Sequence, residues 1–198
     1  MNLQELYDWI FHQQADGAGL SMKTVGMVLG VLLLLSHLWA WLRADQVKEM
    51  AKEFPRHRFA GIALLAVCLL WCWFLVSCMD MGEFYTWRRW LMMLVPISFV
   101  LVITYVPEFL AVRALGTLMI LAASPVLHSA FLQPQTSRLL LPTLAYVWAI
   151  AGMFLVGLPY LMRDWIDWLS KAPVRWNLAA LGGAAYGAVL FVVAVVDY

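Results

Sequence analysis

Charge is what this chain has least of. Asp, Glu, Lys and Arg make up 13% of its 198 residues, and hydrophobic residues make up 64%. A soluble domain is nearer half apolar and a quarter charged, so a soluble fold accounts poorly for it. No long polar segment is present, which leaves no room for a soluble domain beside the apolar part. The net charge of +1 carries no electrostatic footprint for nucleic acid. No cleavable signal is expected either. Such a signal has a basic start, a short apolar stretch and a small-residue cleavage site, whereas MNLQELYDWIFH contains Glu5 and Asp8 and no Lys or Arg. The expectation is a chain kept whole and anchored by its own helices.

Enzyme signatures are missing: there is no H-E-x-x-H, G-x-S-x-G, P-loop or G-x-G-x-x-G. No internal repeat is visible, and the prolines of the third, fourth and fifth apolar runs do not mirror one another across two halves, as inverted-repeat transporters would require. Cysteine is limited to Cys68, Cys72 and Cys78, all in or at the end of one run. A metal site wants more ligands nearby and a redox pair reads C-x-x-C, so these are read as buried apolar thiols. Bis-histidine haem needs two ligands at one depth. The in-span candidates His37 and His128 fall near opposite ends of their runs, so no cofactor is expected.

What is present is a set of apolar runs long enough to cross a hydrocarbon core of roughly 30 Å. They are expected at about 24–42, 59–79, 90–106, 109–132, 139–162 and 176–196. The predicted fold is therefore all-α, a polytopic bundle of six transmembrane helices (residues 24–198) preceded by an interfacial segment (residues 1–23). Leu3, Leu6, Tyr7, Ile10 and Phe11 form one stripe of a helix over residues 2–14. A linker follows over residues 13–19. Val47, Met50, Ala51 and Phe54 predict a second surface helix, stopped by Pro55, and residues 163–169 a third interfacial piece. The stretch from Trp90 to Leu132 is expected to organise the rest. Its two runs are joined by a break at Pro107-Glu108, short enough to make them antiparallel neighbours.

Six spans put both ends of the chain on one face. Lys23, Arg88, Arg89 and Arg138 fall on that face, four in all, and the other nine Lys and Arg on the opposite one. The positive-inside rule then puts the termini outside, periplasmic if the membrane is a bacterial inner membrane. The compact loops favour that setting. Trp87 and Trp90, and Trp165 and Trp168, sit at run ends as interfacial anchors. Asp164 and Asp167, three apart, suit a divalent ion and a lipid phosphate, but their flanking tryptophans favour an anchor.

Arg113 is the deepest charge in any run. One reading has it snorkel, since one turn is about 6 Å. The other pairs it with Glu108. His37 and Tyr105 fall at the same level, so His37, Tyr105, Glu108 and Arg113 would form one polar cluster if the first, third and fourth spans touch. Small residues predict close helix contacts at Gly26 and Gly30, and along Ala179, Gly183 and Gly187 with Ala180, Ala184 and Ala188 adjoining. The second face would pack within the monomer or against a partner subunit.

Three functions fit these features. The first is a non-catalytic subunit or assembly partner of a larger membrane complex, with membrane proteins or further copies of itself as partners besides the lipid bilayer. The second is a small-solute or ion transporter or channel using the polar cluster on the cytoplasmic side. The third is a lipid-modifying enzyme at Asp164 and Asp167.

Overall fold

The structure, a computed structural model, describes residues 2–12 and 19–198. Apart from Gly19, the linker expected over 13–19 lies outside the described residues. Nine α-helices and no strands are found among those described. They are α1 (Leu3–Phe11), α2 (Met22–Leu42), α3 (Ala44–Glu53), α4 (Arg58–Cys78), α5 (Arg88–Tyr105), α6 (Leu110–Ser129), α7 (Leu140–Gly157), α8 (Tyr160–Ser170) and α9 (Pro173–Val196). Six of them, α2, α4, α5, α6, α7 and α9, are long and apolar enough to cross a membrane. The protein is an all-α polytopic membrane protein.

Local chemistry explains the helix starts. Asn2 and Glu5 form a reciprocal capping box on α1, with Glu5 N–H donating to Asn2 Oδ1 at 2.8 Å and Asn2 N–H to Glu5 Oε2 at 2.9 Å. Ser21 Oγ accepts from Thr24 N–H at 3.1 Å to start α2, and His57 Nδ1 accepts from Ala60 N–H at 3.1 Å to start α4. The surface helix α3 ends in a 3-10 turn, Phe54–Arg56, whose Pro55 is buried.

Two expectations are corrected. The fifth span ends at Gly157 rather than at Met162, and α8 begins at Tyr160 as a separate helix. Pro159 between them lacks the N–H that would continue α7. The second correction concerns the hairpin. α5 and α6 are joined by residues 106–109, yet they are not packing neighbours. Both lie against α4. Phe109 adopts φ +54°, a left-handed conformation rare for a bulky residue, and this turns the chain away from α5. Gly61 of α4 then admits the start of α6. A Cβ at Gly61 would stand 2.7 Å from the Ala111 nitrogen.

The organising element is thus α6 rather than the α5–α6 pair. α6 carries Leu110, Ala111, Val112, Ala114, Gly116, Ala123, Val126 and Ser129 as buried positions. It packs against α4 on one side and α7 on another. α6 and α7 meet backbone to backbone. A Cβ at Gly116 would lie 2.7 Å from Gly152 O, and one at Gly152 would lie 2.6 Å from Gly116 O.

The other tight pair is α2 with α9. The two groups join through a core of Met22, Val25 and Leu190 against Ala123, Val126, Ala130, Leu141, Leu144 and Ala145. α1 covers one end of the bundle, with the Phe11 ring edge-on to His128 at 5.2 Å between centroids and Cys78 Sγ–H donating to Leu3 O at 3.4 Å. All three cysteines are free, and Cys68 and Cys78 are buried.

Even a methyl group between Gly116 and Gly152 must push two backbones apart, and overpacking of this kind costs about 1–3 kcal/mol. Gly116→Ala is expected to lower the thermal unfolding midpoint of the purified protein. Gly182→Ala, where an added Cβ meets nothing within 4 Å, is expected to leave it unchanged.

Candidate functional site

Arg113 lies about one turn inside α6, where a cation needs a partner. Its Nη1–H donates to Val156 O at 2.7 Å. Val156 is in the last turn of α7, and the last carbonyls of a helix have no donor of their own helix. The negative end of the α7 dipole faces the same guanidinium. The half-buried Arg113 thus meets a backbone carbonyl, and no ion pair joins it to Glu108 among the described residues. It caps α7. The close approach at Gly116 and Gly152 brings the two residues within reach. Its Nε is buried without a partner among the described residues, and Thr117 Oγ1–H donates to Arg113 O at 2.9 Å.

The other members of the expected cluster are placed apart. His37 faces α9. Its Nδ1 donates to Leu33 O at 2.8 Å, and its ring fills the space above Gly183, leaving no room there for a Cβ. Tyr105 ends α5 at 80% exposure. Glu108 is exposed in the turn before α6 and lines a cavity of about 250 Å³ with Arg56, His57, Arg58 and Pro107. No hydrogen bond or ion pair joins any two of the four among the described residues.

The small-residue positions do meet one another. A Cβ at Gly30 would lie 2.7 Å from Phe191 N, and one at Gly187 would lie 2.6 Å from Leu34 N. Gly26 faces Ala194 and the Tyr198 ring. The Gly183–Gly187 face of α9 is thus filled by α2 of the same chain. Ala179 departs from the expectation. It is exposed, and the buried small residues of α9 are Ala180, Ala184, Gly187 and Ala194. The helix turns its inward stripe about one residue from the expected register. Trp176 locks the other end of this pair, with Nε1–H donating to Ala40 O at 2.9 Å. Tyr198 closes the near end, its hydroxyl donating to Ser137 O at 2.6 Å. Burial, and then Asp197, push its phenol up from the ordinary value.

The four anchor tryptophans, Trp87, Trp90, Trp165 and Trp168, all face outward. Trp165 and Trp168 lie 6.4 Å apart between centroids. The Arg175 guanidinium sits 4.6 Å over the Trp168 ring and donates to Trp168 O at 3.3 Å. Asp164 binds its neighbour Arg163 at 3.0 Å. No group of three or more His, Cys, Asp or Glu placed to hold a metal ion occurs among the described residues.

Two features have no counterpart in the expected sites. One is an open groove of about 740 Å³ between α4 and α5, lined by Trp73, Tyr85, Arg89, Met92, Met93 and Pro96. The other is a basin of about 200 Å³ at the opposite end, lined by Lys52, Pro55, Arg56, Phe109, Arg163, Ile166 and Asp167. The basin draws on three separate segments, so no local spacing announces it. Comparison of the chain with protein-family models, with curated proteins and with solved structures finds no match.

A hydrogen bond to a charged group contributes about 1.5–3 kcal/mol. Arg113→Leu is expected to lower unfolding stability by about that amount, Arg113→Lys by less, and Glu108→Gln by nothing measurable. Chemical denaturation in detergent micelles checks the order. At the α2–α9 contact, Gly183→Ala is expected to destabilise the protein strongly with His37 present and weakly in a His37→Ala background, a coupling that a double-mutant cycle reads directly.

Proposed function

We propose that the protein is a non-catalytic integral membrane subunit that assembles with a second membrane protein through α5. One observation carries this reading: α5 is an apolar span with no buried residue. It packs on α4 and on the turn that precedes it. Trp90, Met93, Leu94, Ile97, Val100 and Leu101 all face away from the protein. The occupant is a transmembrane helix of the partner, seated in the groove beside Trp73. Methionines in the lining adapt to a partner's side chains. Pro96 removes the donor that would bond the Met92 carbonyl, leaving an acceptor that a polar side chain of the partner can satisfy. Arg89 at the groove's end, unlike Arg88, is not bound to a backbone carbonyl, and suits an acidic residue at the end of the partner helix.

The reading keeps the orientation drawn from charge. The nine-cation face is cytoplasmic and the four-cation face outside, with a bacterial inner membrane as the setting. The transporter alternative relies on a cluster whose residues stand apart, and the lipid-modifying alternative on an Asp164 already held by Arg163.

Mild detergent extraction from the native membrane, followed by mass measurement of intact complexes, tests the proposal. A partner at fixed stoichiometry is expected, and Met93→Trp or Ile97→Trp is expected to release it while Val192→Trp, on an outward position of α9, does not. A monodisperse single chain would overturn the proposal, as would a complex indifferent to both α5 variants. Self-association lost in the α5 variants would make the occupant a second copy.

A further inference from the structure

The cations of this protein divide into those already engaged and those left over. Lys23, Arg88, Arg113, Arg138 and Arg175 each donate to a backbone carbonyl. Lys48 lies 3.9 Å from Asp45 and over the Trp176 ring. Lys52 and Arg56 have no hydrogen bond or ion pair among the described residues. Both line the same basin, and Arg163 from α8, which also bonds its neighbour Asp164 at 3.0 Å, completes it. Asp167 is the single acid lining the basin, and with Asp164 on Arg163 counted, three cations stand against two carboxylates.

The basin has a fixed frame. α3 and α8 pack against each other, and the Phe54–Arg56 turn packs against α6. Pro55 and Ile166 are buried beneath the charges. Phe109, the left-handed residue that starts α6, forms part of the same floor. Cations on the rim and an apolar floor at one end of a membrane bundle match a group that is anionic on one side and apolar on the other. The volume of about 200 Å³ falls below the roughly 300 Å³ at which pockets for whole drug-sized ligands begin. It suits a phosphate with its first attached atoms. Arginine presents a planar donor fork matched to phosphate oxygens.

We propose that Lys52, Arg56 and Arg163 bind the phosphate of an anionic lipid headgroup, with the lipid's glycerol end against Pro55, Phe109 and Ile166. This site is independent of the α5 assembly reading, which concerns the opposite end of the bundle. The same chemistry accepts free inorganic phosphate, and the experiment separates the two sources.

The full chain is placed in phosphatidylcholine nanodiscs with or without phosphatidylglycerol. Bound lipid is counted by native mass spectrometry, and thermal unfolding is followed in parallel. Wild type is expected to prefer phosphatidylglycerol. Each charge removed in Lys52→Gln, Arg56→Gln and Arg163→Gln is expected to weaken that preference about fivefold, the effect of one cation near an anionic lipid surface. Arg43→Gln with Lys171→Gln, on the same face outside the basin, is expected to keep it. Asp167→Asn, which removes the only acid lining the basin, is expected to strengthen it and serves as the reading if the triple variant does not fold. Stabilisation by inorganic phosphate in pure phosphatidylcholine, lost in the triple variant, supports the anion site and assigns it to a soluble phosphate. A triple variant with wild-type lipid preference, a wild type with none and no phosphate response, or an Asp167→Asn variant with unchanged preference would each overturn the proposal.

Discussion

A helix that ends near hydrocarbon leaves carbonyls with no donor, and lipid supplies none. Much of this structure follows from how those carbonyls are met. Arg113 reaches from α6 to the last turn of α7, and Arg88 reaches back to Met79, the residue that caps α4. Trp176 of α9 donates to Ala40 in the last turn of α2, and Lys23 of α2 to Val195 in the last turn of α9. The last two bonds are reciprocal: each helix of the pair supplies a donor to the other's carboxyl end. Cations at these ends are also favoured by the helix dipoles. Three of the thirteen Lys and Arg of the chain, Lys23, Arg88 and Arg113, therefore serve carbonyls at helix ends.

This use of charge explains which features can be read from sequence. Apolar length and surface amphipathicity are local, so the six spans and the helix stopped by Pro55 are visible in the residue order. The role of Arg113 is not local. It depends on α7 ending at Gly157, and on Gly116 and Gly152 letting two backbones touch. Neither glycine has a small neighbour four residues away, so the spacing that marks Gly26 with Gly30 and Gly183 with Gly187 is absent. The α5–α6 turn misleads for a related reason. Its brevity limits distance between the helix ends, but the left-handed Phe109 decides direction. Ala179 and Ala180 differ by one residue in a helix rich in small side chains, and only the position of α2 selects between them.

The bundle is consequently uneven. α4, α6 and α7 are held by buried glycine contacts, whereas α5 contributes nothing to the core. Its attachment relies on α4 and on the preceding turn, where Arg88 lies 4.8 Å over the Tyr85 ring and donates to Met79 O. The polar residues that sequence depth grouped together are divided between the two packed bodies, with His37 on α2–α9 and Arg113 on α6–α7. Depth along a span is a one-dimensional property. Rotation about each helix axis, set by the glycine contacts, determines which side chains meet.

The pairing of α2 with α9 also sets an order of events during synthesis. About 130 residues separate the end of α2 from the start of α9, and at roughly 5–20 residues per second the ribosome takes on the order of seven to thirty seconds to cover that distance. Throughout that interval α2 is in the bilayer with its Gly26–Gly30 groove unfilled, while α4, α6 and α7 can already lock together. The groove is open to lipid, to a neighbouring nascent chain, or to an insertion factor until α9 arrives. Completion of the bundle is therefore a late, long-range closure, and the same glycines that seal the finished protein expose its most vulnerable surface while it is being made.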